Sequence, residues 1–419
     1  MPDANVSSDA AFLEKAELNQ LIRILRESGY RVVGPKIEQN AIVYAELESA
    51  NDLPIGWSDA QEPGIYRLRR NDTESYFAYN VGPHSWKQFL FPPRITVATA
   101  DRTEDGWQMD VPEDNVRMFA FLGVRACELK AIAIQDRVFM GGAYVDPIYQ
   151  KRREAALIIA VNCTQAAKTC FCTSMNSGPR CLDGYDLALT EFFNGFEVEV
   201  GSAAGAAVLK KLAHRPATLD ESSTAAKERS RAIDQISKHM STEGIRDLLL
   251  KNLEHPRWDQ VAERCLSCAN CTMVCPTCFC STVSEVADLQ GDHVERLRTW
   301  DSCFNLDFSY IAGGIVRNDR RSRYRQWLTH KLASWQDQFD SSGCVGCGRC
   351  IAWCPVGIDL TEEVAAIRNE PSENRTLPVI QPSDSRVCGI SRVPVAPSTD
   401  PPPIQPNDPR LDRSERNPS

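Results

Sequence analysis

Two stretches decide how this chain is read: CLSCANCTMVCP at 265–276 and CVGCGRCIAWCP at 344–355. Each is Cys-x2-Cys-x2-Cys-x3-Cys-Pro, the spacing of two-cluster bacterial ferredoxins, in which the fourth cysteine of each string serves the other cluster. Three thiolates two residues apart wrap a tight turn around one face of an iron–sulfur cubane. The fourth, before proline, reaches across. The motif rule therefore groups Cys265, Cys268, Cys271 and Cys354 around one 4Fe–4S cluster, and Cys344, Cys347, Cys350 and Cys275 around a second. Gly346 and Gly348 suit a backbone folded closely around sulfide. A pair of zinc sites, or buried thiols, is the alternative, and two full copies with both prolines weigh against it. About seventy residues part Cys275 from Cys344, far more than in a small ferredoxin. Within them, SRYRQWLTHKLASWQDQF (322–339) reads as helical, which predicts a helix-rich ferredoxin domain with helices between its two loops.

Working outward, the chain has 419 residues, 42% of them apolar, enough to fill two or three cores. Its net charge of −9 argues against nucleic acid as a partner. The 17 cysteines are odd in number and clustered at short spacings, as metal-ligand thiolates are and disulfide frameworks generally are not. The N-terminus carries charges where a secretory signal needs an apolar region, and no apolar run is long enough to span a membrane. A reducing, cytoplasmic setting is expected.

The fold expected is a mixed α/β N-terminal domain, a helix-rich two-cluster ferredoxin domain and a disordered C-terminal tail. Residues 1–110 read as an α+β region, with a helix over 11–27 stopped by Ser28-Gly29 and strands and hairpins over 31–45 and 64–81. Residues 111–220 read as α/β: strands at 118–124 and 156–161, helices at 128–139 and 203–212. A helical linker over 221–262 leads to the ferredoxin domain at 263–368. Residues 369–419 are rich in Pro, Ser, Asp and Arg and read as disordered, with Cys388 a bystander in them.

Four cysteines lie in the α/β region. Cys127 follows the strand MFAFLGV, Cys163 follows ALIIAV, and Cys170 and Cys172 come soon after. Ligands of open α/β sheets collect beyond the carboxyl ends of the strands, and both strands deliver a cysteine there. In an extended segment Cys170 and Cys172 point the same way about 6.6 Å apart, a spacing suited to neighbouring irons of one cubane. A third 4Fe–4S cluster on these four thiols is the preferred reading, with a zinc site or two redox thiol pairs as alternatives. Cys181 falls outside the set. TCFC, spelled at 169–172, recurs at 277–280, where the ferredoxin ligands are already complete. Cys278, Cys280 and distant Cys303 are one short of a closed site and read as packing beside a cluster.

No G-x-G-x-x-G links a strand to a helix, and Gly313-Gly314 is a lone pair. There is no flavin or nicotinamide fingerprint, no paired C-x-x-C of a nickel–iron centre and no H-E-x-x-H, so no residue is assigned a catalytic role. The basic stretch Arg317, Arg320, Arg321, Arg323 and Arg325 reads as a solvated helix face before a docking site. Relay groups without substrate chemistry describe an electron-transfer subunit.

CLSCANCTMVCPTCFCSTV, WDSCFNLDFSY, SRYRQWLTHKL and GCVGCGRCIAWCPVGIDLTEEV together resemble the iron–sulfur beta subunit of sulfhydrogenase-type nickel–iron hydrogenases. The A subunit of anaerobic sulfite reductase is similar. GVRACELKAIAIQDRVF and NCTQAAKTCFCTSM look like that family's N-terminal half, so the resemblance spans about residues 115–365. The eight ferredoxin cysteines carry over residue by residue, and Cys127, Cys163, Cys170 and Cys172 also match the family's positions. The resemblance implies a cytoplasmic heteromeric complex. This chain would pass electrons between a flavin subunit handling NAD(P)H and a nickel–iron catalytic subunit, with a further small iron–sulfur subunit. The alternative is the relay of a sulfite or polysulfide reductase beside a sirohaem subunit; a different class is a thiol and iron–sulfur redox sensor.

Overall fold

The computed structural model describes residues 10–112 and 117–370. Its N-terminal region is built on one eight-stranded mixed sheet. The strands run in the order His214–Pro216, Ala11–Glu14, Gly195–Val200, Leu187–Phe192, Leu157–Val161, Phe119–Val124, Arg31–Glu38 and Ala41–Glu46. Residues on both sides of position 110, read from the sequence as successive regions, thus share a sheet. The four central strands pair in parallel, and the middle two, Leu157–Val161 and Phe119–Val124, read as unbroken apolar runs because both of their faces are covered. Leu157, Ile159 and Val161 enter one core with Leu18, Leu21, Ile22 and Leu25 of the helix Glu17–Glu27. Ile158 and Ala160 enter the opposite core with Phe121, Leu129 and Trp86.

The first helix is shorter than periodicity predicts. Ala11–Glu14 is a strand flanked on both sides, pairing Ala11 with Val198 and with Pro216. Two ladders of backbone hydrogen bonds outweigh local helix preference there. A second departure lies at Gly123. The register between Phe119–Val124 and its neighbour slips between Leu122 and Val124, and Gly123 has φ +94. This bulge switches faces: Leu122 packs in the first core, and Val124, two residues on, packs in the second. The chain therefore leaves the strand turned, with Arg125 and Cys127 aimed at the edge where the strands end.

The ferredoxin-type region carries helices Arg257–Arg264, Arg320–Thr329, Trp335–Phe339 and Leu360–Asn369, with a wide turn of helix at His330–Ser334 joining the second and third. The helical expectation for 322–339 is met. The insertion also holds a hairpin, Ser281–Ala287 with His293–Trp300, that joins Arg94–Thr103 and Gly106–Asp110 in a four-stranded sheet. Its turn is closed by the Asp288 carboxylate, which accepts from the backbone N–H groups of Gly291 and Asp292. Of the segment 64–81, expected as strands and hairpins, Ile65–Arg70 is a strand and forms one arm of a hairpin with Trp57–Glu62. Residues 371–419, including Cys388, lie outside the described residues, as do 1–9 and 113–116. Among the described residues no helix is long and apolar enough to cross a membrane.

Candidate iron–sulfur centres

The two cysteine strings fold alike. In the first, Ser267 and Ala269 take left-handed backbone angles (φ +53 and +65); in the second, Gly346 and Gly348 occupy the equivalent positions (φ +63 and +76). The N–H of Ser267 donates to Cys265 Sγ and that of Gly346 to Cys344 Sγ, both at 3.4 Å. Short helices then follow at Asn270–Met273 and Arg349–Ala352. Left-handed residues between the cysteines turn successive thiols toward one centre, the behaviour the spacing anticipates.

Glycine appears in the second string only, and packing explains it. A Cβ on Gly346 would lie 2.6 Å from the Phe171 carbonyl oxygen, and one on Gly348 2.5 Å from that of Thr169. The first TCFC lies directly on the second ferredoxin loop. Phe171 N–H donates to the Gly346 carbonyl at 2.9 Å, and Ser177 Oγ donates to the Val345 carbonyl. Gly348→Ala is accordingly expected to cost roughly 3 kcal/mol, strain and overlap combined. Ala269→Gly, at the matching left-handed position, is expected to stay within about 1 kcal/mol of the parent. Apparent melting temperatures of the two variants, measured side by side, check the contrast; equal losses would show that the interlock is not what requires glycine.

Cys265, Cys268, Cys271 and Cys354 line one cavity with Phe304, Tyr324 and Trp327, and Cys350 borders it. Cys268 is exposed. Cys275, Cys344, Cys347 and Cys350 share a second neighbourhood, each of the first three acting electrostatically on Cys350. Cys127, Cys163, Cys170 and Cys172 line a third cavity with Arg125, and Cys347 also borders it. Every set grouped from the sequence is therefore brought together. Cys170 and Cys172 do so on a loop and the start of a short helical turn, Cys172–Met175, not on an extended strand. Phe171, fully buried between them, anchors the loop. Among the described residues no three Cys, His, Asp or Glu side chains converge as for a single ion. The thiols of the first and third sets surround cavities instead of meeting at a point, and that arrangement suits a cubane better than a single zinc ion.

The charges nearby fit an anionic group. Lys331 is buried and donates to Cys275 Sγ at 3.2 Å, to Thr277 Oγ1 at 3.2 Å and to the Gly343 carbonyl at 3.0 Å. Burial alone would lower its pKa, but Cys275, Cys278 and Cys344 hold it well above the usual lysine value. Arg349, between Cys347 and Cys350 in sequence, is fully buried and pairs with Glu128 at 2.5 Å. Its Nη1 is buried without a hydrogen-bond partner among the described residues, and its charge acts on Cys347 and Cys127. Arg125, also buried, donates to the carbonyls of Phe77 and Tyr79 and faces Cys163. In the third cavity burial pushes the Cys172 thiol up to about 12 and holds that of Cys170 well above its ordinary value, so four free thiolates would be costly there. Metal coordination would let buried sulfurs of this kind ionise.

Sequence reasoning passed over Lys331, Arg125, Arg349 and Glu128; a charge inside an apolar helix, as in WLTHKLASW, is the signal that could have flagged the first. The basic stretch is a solvated face only in part. Arg320 donates to the Cys265 carbonyl, Arg323 is buried against the Phe304 carbonyl, and Arg321 and Arg325 pair with Glu254. Cys181 is buried in the core, its N–H donated to Asn162 Oδ1, and stands apart from the three sets. Of the second TCFC, Cys278 lies against Cys275, and Cys280 against Cys303.

A family model described as a 4Fe–4S dicluster domain matches residues 264–358. The chain is 28% identical over 348 residues to sulfhydrogenase 2 subunit beta of Pyrococcus furiosus, covering 82% of this chain and 94% of that protein. No solved structure matches. The chain is a homologue of the sulfhydrogenase beta subunit that carries a 4Fe–4S dicluster domain.

Proposed function

We propose that this chain is the electron-transfer subunit of a cytoplasmic oxidoreductase complex. It would pass electrons between a flavin subunit handling NAD(P)H and a nickel–iron catalytic subunit, with a small iron–sulfur subunit alongside. Cys265, Cys268, Cys271 and Cys354 hold one 4Fe–4S cluster, Cys344, Cys347, Cys350 and Cys275 a second, and Cys127, Cys163, Cys170 and Cys172 a third. Bound there, each cluster supplies a one-electron store.

The observation that carries this reading is adjacency. Cys347 borders the cavity of the α/β set and Cys350 borders that of the first ferredoxin set, so one loop touches both neighbours of the middle set. The order supported is α/β set, middle set, first set. The last of these opens to solvent at Cys268, with exposed Leu266 and Val356 beside it, a surface for a redox partner. Lys331 and Arg349 sit by the middle set, where a buried cation favours the reduced, more negative state.

Iron and acid-labile sulfide, counted anaerobically on the purified chain and followed by EPR after reduction, test the reading. About twelve irons with interacting cluster signals are expected. A count near eight would remove the α/β cluster, and a count near zero after reconstitution would overturn the relay. Co-purification with flavin- and nickel-containing chains tests the partners.

A further inference from the structure

Two sulfurs outside the three sets are held together by the hairpin of the ferredoxin region. Ser281 pairs with Trp300 at the open end of that hairpin, and the N–H of Asp301 donates to the Cys280 carbonyl at 2.8 Å. Cys280 therefore leaves one strand just as the chain turns toward Cys303 after the other. The turn is fixed by its own hydrogen bonds: Ser302 N–H to Asp301 Oδ1 at 2.6 Å, and Phe304 N–H to Ser302 Oγ at 3.1 Å. Ser302 Oγ also meets Thr272 Oγ1 at 2.7 Å, tying the turn to the first ferredoxin loop. The result directs both the N–H and the thiol of Cys303 at the Cys280 sulfur. Both residues are partly exposed. Neither belongs to a ferredoxin string, and Phe304, next to Cys303, lines the cavity of the first set.

Donation from Cys303 brings the Cys280 thiol down to about 7, against the opposing effect of burial, with help from the Lys331 charge. A thiolate present at neutral pH with a second thiol hydrogen-bonded to it is the arrangement of an attacking and a resolving cysteine.

We propose that Cys280 and Cys303 form a thiol–disulfide exchange site for low-molecular-weight disulfides. The Cys280 thiolate attacks one sulfur of the incoming S–S bond; a mixed disulfide forms and one small thiolate leaves. Cys303 then gives its proton to water, and its sulfur attacks that of Cys280, expelling the second small thiolate. The small disulfide has gained two electrons, the cysteine pair has lost two, and a Cys280–Cys303 disulfide remains. Excess small thiol reverses both steps. The site lies beside the relay but does not depend on it, because exchange needs only the two cysteines.

The test uses the full chain with its clusters, treated anaerobically with oxidised glutathione, then alkylated, digested and sequenced by mass spectrometry. The expected product is a cross-link between Cys280 and Cys303 that reduced glutathione removes. Cys303→Ser should trap glutathione on Cys280, and Cys280→Ser should leave Cys303 open to alkylation. Two unmodified cysteines in the parent chain would overturn the proposal, and the parent needs no variant to fold. So would loss of iron from Cys280→Ser, which would make this residue a ligand. Iron and sulfide counted on the same parent sample report separately on the relay, so failure of one reading is distinguishable from failure of the other.

Discussion

Replacing Cys170 and Cys172 together by serine is expected to remove four irons from the chain, taking the count from about twelve to about eight. The two residues line the cavity that Cys127 and Cys163 share, so no other set should lose metal. A cubane held by only two remaining thiolates is not retained through purification. The EPR spectrum of the reduced variant should keep the interaction between the two ferredoxin-type centres and lose the contribution of the third. The substitution changes sulfur to oxygen at nearly constant volume, and Phe171 keeps its place between the two positions. Circular dichroism should therefore match that of the parent. Full iron retention would end the third-cluster proposal; loss of eight or more irons with an intact fold would show that the three sets are not separate sites.

What could be read from residues alone follows from how local the signal is. The two cysteine strings are local, and so are the apolar runs 118–124 and 156–161. Strands ending in cysteine were enough to group Cys127, Cys163, Cys170 and Cys172. Other features depend on partners far along the chain. Ala11–Glu14 looks helical until Val198 and Pro216 are known to flank it. The strand His293–Trp300 takes its place in a sheet because Arg94–Thr103 lies beside it. Glycines at 346 and 348 looked like a demand of the cluster. The left-handed Ser267 and Ala269 show that the turn alone accepts other residues, and the contact with Thr169 and Phe171 supplies the further requirement. TCFC at 277–280 could not reveal its pairing either, since Cys280 meets Cys303 only after the hairpin closes.

Glu128→Leu is expected to destabilise the chain by about 3–5 kcal/mol, because it strands a buried guanidinium. The Glu128 carboxylate gathers four donors: Arg349 at 2.5 Å, the Tyr44 hydroxyl at 2.7 Å, Trp86 Nε1 at 3.1 Å and the Arg125 N–H at 3.3 Å. These come from a strand, a loop, a helix start and the second ferredoxin string, so one side chain links the α/β sheet to the ferredoxin region. Arg349 is further held by the carbonyls of Gly82 and His84. Replacing both partners, Glu128→Leu with Arg349→Met, should recover much of the loss, since an apolar pair avoids burying charge. Stability is then separable from electrostatics. If the pair served packing alone, the double variant would match the parent in reduction potential as well as in melting temperature. The position of Arg349 next to Cys347 argues otherwise: removing its charge takes away a cation that acts on Cys347 and Cys127. The double variant should accordingly melt near the parent while its cluster potentials, read by EPR-monitored titration, move apart: more negative beside Cys347, which loses the Arg349 cation, and more positive at Cys127, on which the lost Glu128 charge acts more strongly than that of Arg349. Unchanged potentials would leave the ion pair a structural tie and nothing more.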